Sequence, residues 1–271
     1  KADGYGHGAV PVARAALEAG ATWLGVALVE EGTALRSAGI DAPILMMSEP
    51  PVHAAATVVR ERITPVVYTR PGIEALVKAA ADASLVKPFP VHLKVDTGMH
   101  RVGCAPTDAI DLVRHITSQG SLRLEGLLTH LAVADEPDHP ATDDQLACFD
   151  DVRANLASAG FTPPIVHAAN SAALLTNRPR YDLVRCGIAL YGIPPAEGLD
   201  GGLALRPALE LKARAAFVKE LGMGERVSYG LRYLLDGRSK VATLPIGYAD
   251  GVPRRLGTVG GEVLVRGRRR P

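Results

Sequence analysis

The sequence has little cysteine, few aromatic residues and no excess of either charge. Aromatic residues make up 4% of the 271 residues, and 30 basic residues face 29 acidic ones, for a net charge of +1. Its three cysteines, Cys104, Cys148 and Cys186, are widely separated and form no CxxC pair, so neither a disulfide framework nor a zinc site is expected. The balanced charge gives no reason to expect nucleic acid or an anionic membrane as a partner.

The sequence also lacks a recognisable signal peptide and any apolar run long enough to span a bilayer, so we expect a cytoplasmic protein. An initiator methionine is absent. The chain opens at Lys1 in a glycine-rich loop and stops at Pro271, just beyond an apparent strand, so we expect both ends to be truncated. The basic run at 266–270 is typical of a solvated hairpin tip rather than a nucleic-acid patch.

What the sequence does contain is an alternation of short apolar strands with helical patterns such as 73–83 and 144–159. The strand-like runs after Lys1 are 23–28, 44–47, 63–67, 91–95, 124–128, 165–167 and 183–185. Such alternation is typical of parallel βαβ units. We predict an α/β fold over residues 1–205, a (β/α)8 barrel whose missing first strand would end at Lys1. The alternative is a doubly wound open sheet.

The pattern changes near residue 205. Beyond it, alternating segments at 209–220, 240–245 and 262–265 are separated by glycine-containing turns, and helical patterning is absent. We therefore predict that residues 206–271 form the first part of an all-β domain.

Polar residues concentrate where the predicted barrel strands end, which is where active sites of such barrels lie. In order, these ends carry Lys1, residues 94–98, Thr129 with His130, His167 with Asn170 and Ser171, and residues 185–188. The last two clusters follow the seventh and eighth strands, where barrels commonly bind phosphate. A phosphate site beside a strand-end lysine leaves two classes open: a Schiff-base or pyridoxal-phosphate enzyme, and a sugar-phosphate enzyme.

Motifs spread over the whole chain decide between these classes. They are KADGYGHG at 1–8, KVDTGMHRVG at 94–103, HAANS at 167–171, DLVR at 182–185, GIALYG at 187–192, VSYG at 227–230 and IGYADG at 246–251. This ordered set closely resembles the alanine racemase family of pyridoxal-phosphate enzymes. The resemblance implies interconversion of L- and D-alanine, supply of D-alanine for peptidoglycan, and a homodimer whose active sites are shared between subunits.

The resemblance also implies the catalytic residues. Lys1 would form the Schiff base with pyridoxal phosphate and act as one base, and Tyr229 would be the base on the opposite face. A tyrosine titrates near about 10 and needs supporting neighbours to act at neutral pH, a role that His130 and Arg185 resemble. Arg185 would also face the pyridine nitrogen without giving it a proton. The alternatives are that Lys1 is merely solvated and that Arg185 pairs with Asp182.

The remaining binding residues follow from the same resemblance. Phosphate contacts are implied for Tyr5, Asn170, Ser171, Gly187 and Ile188. Substrate contacts are implied for Arg101, for Lys94, which matches a lysine that is often carbamylated in the family, and for Tyr248 at the substrate entrance. No metal is implied, and His167 is interpreted as a satisfied strand histidine rather than a catalyst.

Two functional alternatives stay open. One is a racemase or decarboxylase of a different amino acid on the same barrel. The other is a non-catalytic pyridoxal-phosphate carrier, which holds the cofactor on a lone barrel. The strands predicted after residue 205, with Tyr229 among them, argue against a carrier.

Overall fold

The structure is a computed structural model that describes residues 1–118 and 120–271. The described chain divides into two compact units, Lys1–Leu209 and Glu210–Pro271. In these described ranges, every helix is too short or too polar to cross a membrane.

The first unit is built on a parallel sheet whose six strands follow one another in sequence order. They are β1 (Leu24–Val26), β2 (Ile44–Met46), β3 (Thr64–Val67), β4 (Phe89–Lys94), β5 (Leu122–Leu128) and β6 (Ile165–His167). Each strand pairs in parallel with the next one. Sequential parallel strands need crossover connections, and the result is a curled α/β half-barrel that confirms the predicted fold class.

Helices precede, connect and follow these strands. They are α1 (Ala9–Glu18), α2 (Val29–Ser37), α3 (Ala55–Arg60), α4 (Arg70–Asp82), α5 (Ala109–Ser118), α6 (Ala141–Ser158) and α7 (Ser171–Leu175), with 3-10 turns at Val52–Ala54, Pro106–Asp108 and Ile188–Tyr191. Helix α4 shows why they form where they do. The Thr69 hydroxyl caps it by accepting from the backbone nitrogen of Gly72 at 3.1 Å, and Ile73, Leu76 and Ala80 bury one face.

The core lies between the sheet and the helices. Fully buried side chains from both layers include Ile44, Val67, Leu93 and Leu127 of the strands, with Ile73 and Phe149 of the helices. Burying a side chain of this size stabilises the fold by about 1.5–3 kcal/mol. Against this apolar background, the buried strand residues His92, Lys94 and His167 are exceptions that need a polar environment.

The prediction of a last barrel strand at 183–185 was wrong. The segment runs beside β6, where the backbone nitrogen of Asp182 donates to Val166 at 2.9 Å and that of Arg185 donates to Ala169 at 3.0 Å, but residues 183–185 form no strand ladder. The Asp182 carboxylate accepts from the backbone nitrogen of Val166 at 2.8 Å. The Asp182 side chain therefore accepts from the Val166 N–H, which would otherwise have been available to a neighbouring strand.

In its described residues, the second unit consists of three antiparallel strand pairs. They are β7 (Phe217–Leu221) with β10 (Ser239–Thr243), β8 (Arg226–Val227) with β9 (Tyr233–Leu234), and β11 (Val263–Val265) with β12 (Arg268–Arg270). The predicted all-β character is confirmed. As expected, the basic run at 266–270 lies in an exposed hairpin.

The strand predicted at 209–220 is shorter than expected, because regular pairing begins only at Phe217. Phe217 pairs with Thr243, the last residue of β10. Two residues later the chain reaches Pro245, which has no backbone N–H to donate. The partner strand therefore ends there. The backbone nitrogen of Ala216 still donates to the carbonyl of Thr243 at 2.9 Å, but the residues before Ala216 form no ladder.

Candidate active site

The loop that carries Lys1 is anchored beside β1. The backbone nitrogen of Lys1 donates to the carbonyl of Gly25 at 3.1 Å, and that of Ala2 donates to Glu31 Oε1 at 2.5 Å. Glu31 accepts from two further backbone nitrogens, at 2.7 and 3.2 Å, where β1 gives way to α2. Burial acts to raise the pKa of Glu31, but these donors outweigh it and lower the pKa. One ionised carboxylate thus joins the Lys1 loop to the end of β1.

After Lys1 the backbone makes a left-handed turn. The φ angle is 50° at Ala2, 49° at Asp3 and 57° at Tyr5. Left-handed helical geometry costs L-residues about 1–2 kcal/mol each. The Asp3 carboxylate offsets part of this cost, since its Oδ1 accepts from the backbone nitrogen of Ala9 at 2.7 Å. Backbone strain of this kind is concentrated at functional sites.

The turn places Tyr5 near Lys1. The Lys1 Nζ lies 5.7 Å from the centroid of the Tyr5 ring, a cation–π distance. The Tyr5 ring also packs against Tyr191, with centroids 5.0 Å apart. Burial raises the pKa of Tyr5, so its hydroxyl keeps its proton and can donate a hydrogen bond at neutral pH.

The Tyr5 hydroxyl meets the segment that follows Arg185. A Cβ on Gly187 would lie 2.5 Å from the Tyr5 oxygen, so the approach requires glycine. The Ser171 hydroxyl accepts from the backbone nitrogens of Gly187 at 2.9 Å and Ala189 at 3.4 Å, on either side of Ile188. Two hydroxyls and a run of backbone amides therefore converge, which is the donor set of an anion site.

Asn170 supports this cradle rather than facing it. Its Oδ1 accepts from the backbone nitrogen of Ala173 at 3.0 Å, which caps α7, and its Nδ2 donates to the carbonyl of Leu131 at 3.3 Å. Asn170 thereby holds Ser171 at the first position of the helix.

Arg185 forms the second part of the cluster, with acceptors that carry no negative charge. Its Nη1 donates to His167 Nδ1 at 2.8 Å. Its Nη2 donates to the carbonyls of Thr129 and Ala168, both at 2.8 Å, and to His130 Nδ1 at 3.1 Å. Burial lowers the pKa of Arg185 to about 10, which leaves it cationic at neutral pH. The described structure shows no ion pair with Asp182, whose carboxylate faces the backbone of β6.

Both histidines that accept from Arg185 are neutral. Burial, followed by the charge of Arg185, lowers the pKa of His130 to about 3, with smaller contributions from three lysine and arginine neighbours. The same two causes, followed by His92, hold the pKa of His167 well below its usual value. Neutral rings leave the Arg185 charge uncompensated inside a buried region, which favours an acceptor supplied from outside the chain.

Lys94 lies close to this charge, at the end of β4. Burial and then the charges of Arg101 and Arg185 lower its pKa to about 8, while Asp96 acts in the opposite direction. Asp96 accepts from two backbone nitrogens of its own loop at 3.0 Å each. This loop carries the exposed Arg101. The parallel register places Lys94, Leu128 and His167 in one row, so the strand ends bring these residues together.

Tyr229 and Tyr248 belong to the second unit and are not part of this cluster. Tyr229 is 83% exposed and lies in the hairpin between β8 and β9. It follows Ser228, whose φ of 66° and ψ of −171° are unfavourable for a residue with a Cβ. The Arg226 guanidinium braces the hairpin by donating to the carbonyl of Leu231 at 2.9 Å. Tyr248 opens an exposed 3-10 turn.

Comparison with known families accounts for this combination of a lysine beside β1, an anion cradle and an arginine bound by neutral acceptors. The model of the alanine racemase N-terminal domain matches residues 1–195, and that of the C-terminal domain matches residues 208–271. The chain belongs to the alanine racemase family.

Relatives within the alanine racemase family match along the whole chain. The alanine racemase of Symbiobacterium thermophilum is 48% identical over 272 residues, covering 100% of this chain and 71% of its own length. That of Thermobifida fusca is 46% identical over 275 residues, covering 100% and 72%.

Solved structures of alanine racemases agree. The enzyme of Streptomyces coelicolor A3(2) superposes with a TM-score of 0.86 at 40% identity, covering 99% of this chain and 72% of that one. The alanine racemase of Bacillus anthracis, solved with bound L-Ala-P, has a TM-score of 0.81 at 37% identity, with coverage of 98% and 69%. The predicted family and enzyme class are thus confirmed.

One supporting residue of this racemase-family site, Gln145, was missed in the sequence. Buried Gln145 accepts from the backbone nitrogen of Ala132 at 2.9 Å and donates to the carbonyl of His130 at 3.1 Å, so α6 holds the His130 loop. The Thr97 and Thr129 hydroxyls lie 2.7 Å apart. A buried amide in an otherwise apolar helix face was the available signal for Gln145.

Proposed function

We propose that the protein interconverts L- and D-alanine with pyridoxal phosphate, with Lys1 and Tyr229 as bases on opposite faces of the substrate. The observation that carries this proposal is Arg185, a partly buried cation whose partners are neutral rings and carbonyls and which directly precedes the Gly187 segment of the anion cradle. The family relationship supports the choice of alanine over other amino acids.

The residues present fit this cofactor. Tyr5, Ser171 and the amides around Gly187 and Ile188 would hold the phosphate, supported by Asn170. Arg185 Nε is buried and has no hydrogen-bond partner among the described residues. An unmet buried donor costs about 1–3 kcal/mol, and an aromatic ring nitrogen is an acceptor of the kind it needs.

When bound, the cofactor delocalises the electron pair that remains at the substrate's α-carbon after proton removal. Lys1 Nζ removes or returns the α-proton on one face, and the Tyr229 hydroxyl does so on the other, because inversion requires an acid–base group on each side. Arg185 donates a hydrogen bond but retains its proton, since its pKa of about 10 stays above neutrality. His130 and Arg185 supply the polar and cationic surroundings that Tyr229 needs to act as a base.

Arg101 would receive the substrate carboxylate, and Lys94 would orient Arg101. Two adjacent cations repel each other, which is one reason why the pKa of Lys94 is lowered to about 8. We propose that Lys94 is carbamylated, which replaces its positive charge with a negative one beside Arg101. Tyr248 would line the substrate entrance. The product D-alanine would serve peptidoglycan synthesis in the cytoplasm, and the active form would be a homodimer with shared sites.

Two measurements test the proposal. The protein is assayed for interconversion of the L and D forms of alanine, with serine and lysine as competing candidates, and alanine is expected to give the highest kcat/KM. The protein loaded with pyridoxal phosphate is then reduced with borohydride and digested. We expect the cofactor on Lys1, and a label on another lysine would contradict the assignment.

A further inference from the structure

A chain of side chains leads from Arg185 into the interior of the half-barrel. Arg185 Nη1 lies 2.8 Å from His167 Nδ1, and His167 Nε2 lies 2.9 Å from His92 Nδ1. His92 Nε2 faces Glu125 Oε2 at 3.5 Å. The two histidines have 0% exposed surface, so water does not compete for their ring nitrogens. Neither His92 nor Glu125 has a role in the chemistry described above.

In this series of side chains the donors all face the same way, from Arg185 towards Glu125. An arginine offers only donors, so His167 Nδ1 must accept and its single proton resides on Nε2. That proton is donated to His92 Nδ1, which places the His92 proton on Nε2, facing the Glu125 carboxylate. Burial acts to raise the pKa of Glu125, but His92 and Arg123 outweigh it and lower the pKa, so the chain ends on an anion.

The pairing of β4 with β5 is irregular beside this series of side chains. Val91 of β4 pairs with Leu124 of β5, but His92 pairs with Gly126, so Glu125 is an extra residue in the ladder. A β-bulge of this kind redirects the side chain of the inserted residue. Here the redirected side chain is the carboxylate that faces His92.

Gly126 makes the room for the His92 ring. A Cβ at this position would lie 2.3 Å from His92 Nδ1. The φ angle of Gly126 is not positive, so glycine is needed for space and not for backbone conformation. The Trp23 ring also lies beside the His92 ring, with centroids 5.7 Å apart. The bulge at Glu125, the space left by Gly126 and the ring of Trp23 thus all lie around the buried His92 imidazole.

We propose that His92 and Glu125 are positioning residues for Arg185: they hold the His167 proton on Nε2, so that Nδ1 remains an acceptor and fixes the guanidinium in place. With the proton on Nδ1, His167 would present a donor to the donors of Arg185, and the guanidinium would shift away from the cofactor ring. The inference rests on the proposed role of Arg185 and deepens it.

The first test reads the proton positions directly. Nitrogen-15 NMR of the histidine side chains is expected to show neutral rings with the proton on Nε2 at both His92 and His167. In His92→Phe, which keeps a planar ring beside Gly126 and Trp23, His167 loses its acceptor, and we expect its Nε2–H signal to give way to a tautomer mixture. His92→Gln, whose amide oxygen can accept the same proton, is expected to restore the single tautomer.

The second test separates kcat from KM for alanine. His92→Phe is expected to lower kcat about tenfold or more with KM within about twofold of the wild-type value, since misplacement of a catalytic group costs rate. His92→Gln is expected to recover part of the loss. His115→Phe is the matched control, because His115 faces Glu74 at 3.7 Å outside the chain of residues described above, and neither readout is expected to change.

Failure of this inference and failure of the proposed function give different results. If the wild-type protein does not racemise alanine, the proposed function is wrong. The NMR measurement then tests by itself whether His92 and Glu125 keep the His167 proton on Nε2. Should His92→Phe not fold, Glu125→Leu removes the carboxylate that faces His92 and is expected to disturb the same tautomers. A folded variant of either kind with His167 still wholly protonated on Nε2 overturns the inference.

Discussion

Two cations of the site, Lys94 at the end of β4 and Arg185 in the segment after β6, differ in how firmly they hold their protons. Arg185 has a pKa of about 10 even when buried, so it is a donor at any physiological pH. Lys94 has a pKa of about 8, so a substantial fraction is a neutral amine near neutrality. Arg185 is therefore suited to a fixed hydrogen bond, and Lys94 to a reaction at its side-chain nitrogen.

We predict that Lys94 takes up carbon dioxide as a carbamate. The neutral amine is the reacting form, and its fraction rises as the pH increases through about 8. Carbamate formation consumes one neutral amine and one carbon dioxide and releases one proton, so a rise in pH favours it twice. At a fixed pressure of ¹³CO2, the carbamate signal in ¹³C NMR should therefore grow at least about tenfold between pH 6.5 and 8, until the site is saturated. Lys94→Gln should remove the signal, whereas Lys78→Gln, on the exposed face of α4, should leave it. A signal that persists without Lys94 would contradict the prediction.

We predict that Tyr229→Phe separates the two faces of the reaction. The change removes only a hydroxyl from a side chain that is 83% exposed, so the fold should be unaffected. Racemisation should be lost, while exchange of the α-proton of D-alanine with solvent deuterium, which we propose depends on Lys1, should survive at least in part. Exchange is measured by NMR for each enantiomer separately. Equal loss from both enantiomers would count against one base per face.

At the scale of elements, the loop after β4 is closed by backbone contacts around Gly103. The backbone nitrogen of Asp96 donates to the carbonyl of Cys104, and that of Cys104 donates to the carbonyl of Lys94, both at 2.9 Å. Gly103 has a φ of 139°, and a Cβ there would lie 2.7 Å from the backbone nitrogen of Asp96. The loop that presents Arg101 thus depends on one glycine.

Gly103→Ala should therefore lower the free energy of unfolding by about 1–3 kcal/mol. It should also raise the KM for alanine, because Arg101 is displaced. Denaturant unfolding and steady-state kinetics measure the two effects. The control is Gly25→Ala in β1, where the added Cβ would meet its nearest atom at an ordinary 3.9 Å and φ is not positive. A Gly103 variant as stable as this control would show that the loop is not strained.

The barrel strands were predictable because a parallel strand covered on both faces reads as a short apolar run, and β2 and β6 appear almost where that pattern places them. Residues 183–185 were predicted as a strand from a similar pattern. The Asp182 carboxylate accepts from the backbone of Val166 instead, and the hydropathy of a sequence does not indicate such a contact. The ordered motifs singled out Lys1, Arg185 and the residues of the anion cradle, whose roles stay predictions. They did not predict the partnership of His92 with Glu125, because it depends on a bulge that shifts the register by one residue.

At the scale of the whole molecule, the two proposed bases lie in different compact units. Lys1 belongs to residues 1–209, and Tyr229 to residues 210–271. Tyr229 is largely exposed on a braced hairpin, so its hydroxyl is available to another molecule. In a two-fold dimer the same pair of surfaces meets twice, so that each subunit would lend Tyr229 to the Lys1 of its partner and two equal sites would form.

This arrangement predicts complementation between two inactive variants. Lys1→Ala and Tyr229→Phe each remove one base, and each homodimer should be inactive. Mixed in equal amounts under conditions that allow subunit exchange, half of the dimers become heterodimers, and one of the two sites in each then combines an intact Lys1 with an intact Tyr229. The mixture should therefore recover about a quarter of the wild-type activity. If each subunit used its own pair of bases, no site in any dimer would hold both, and the mixture would stay inactive.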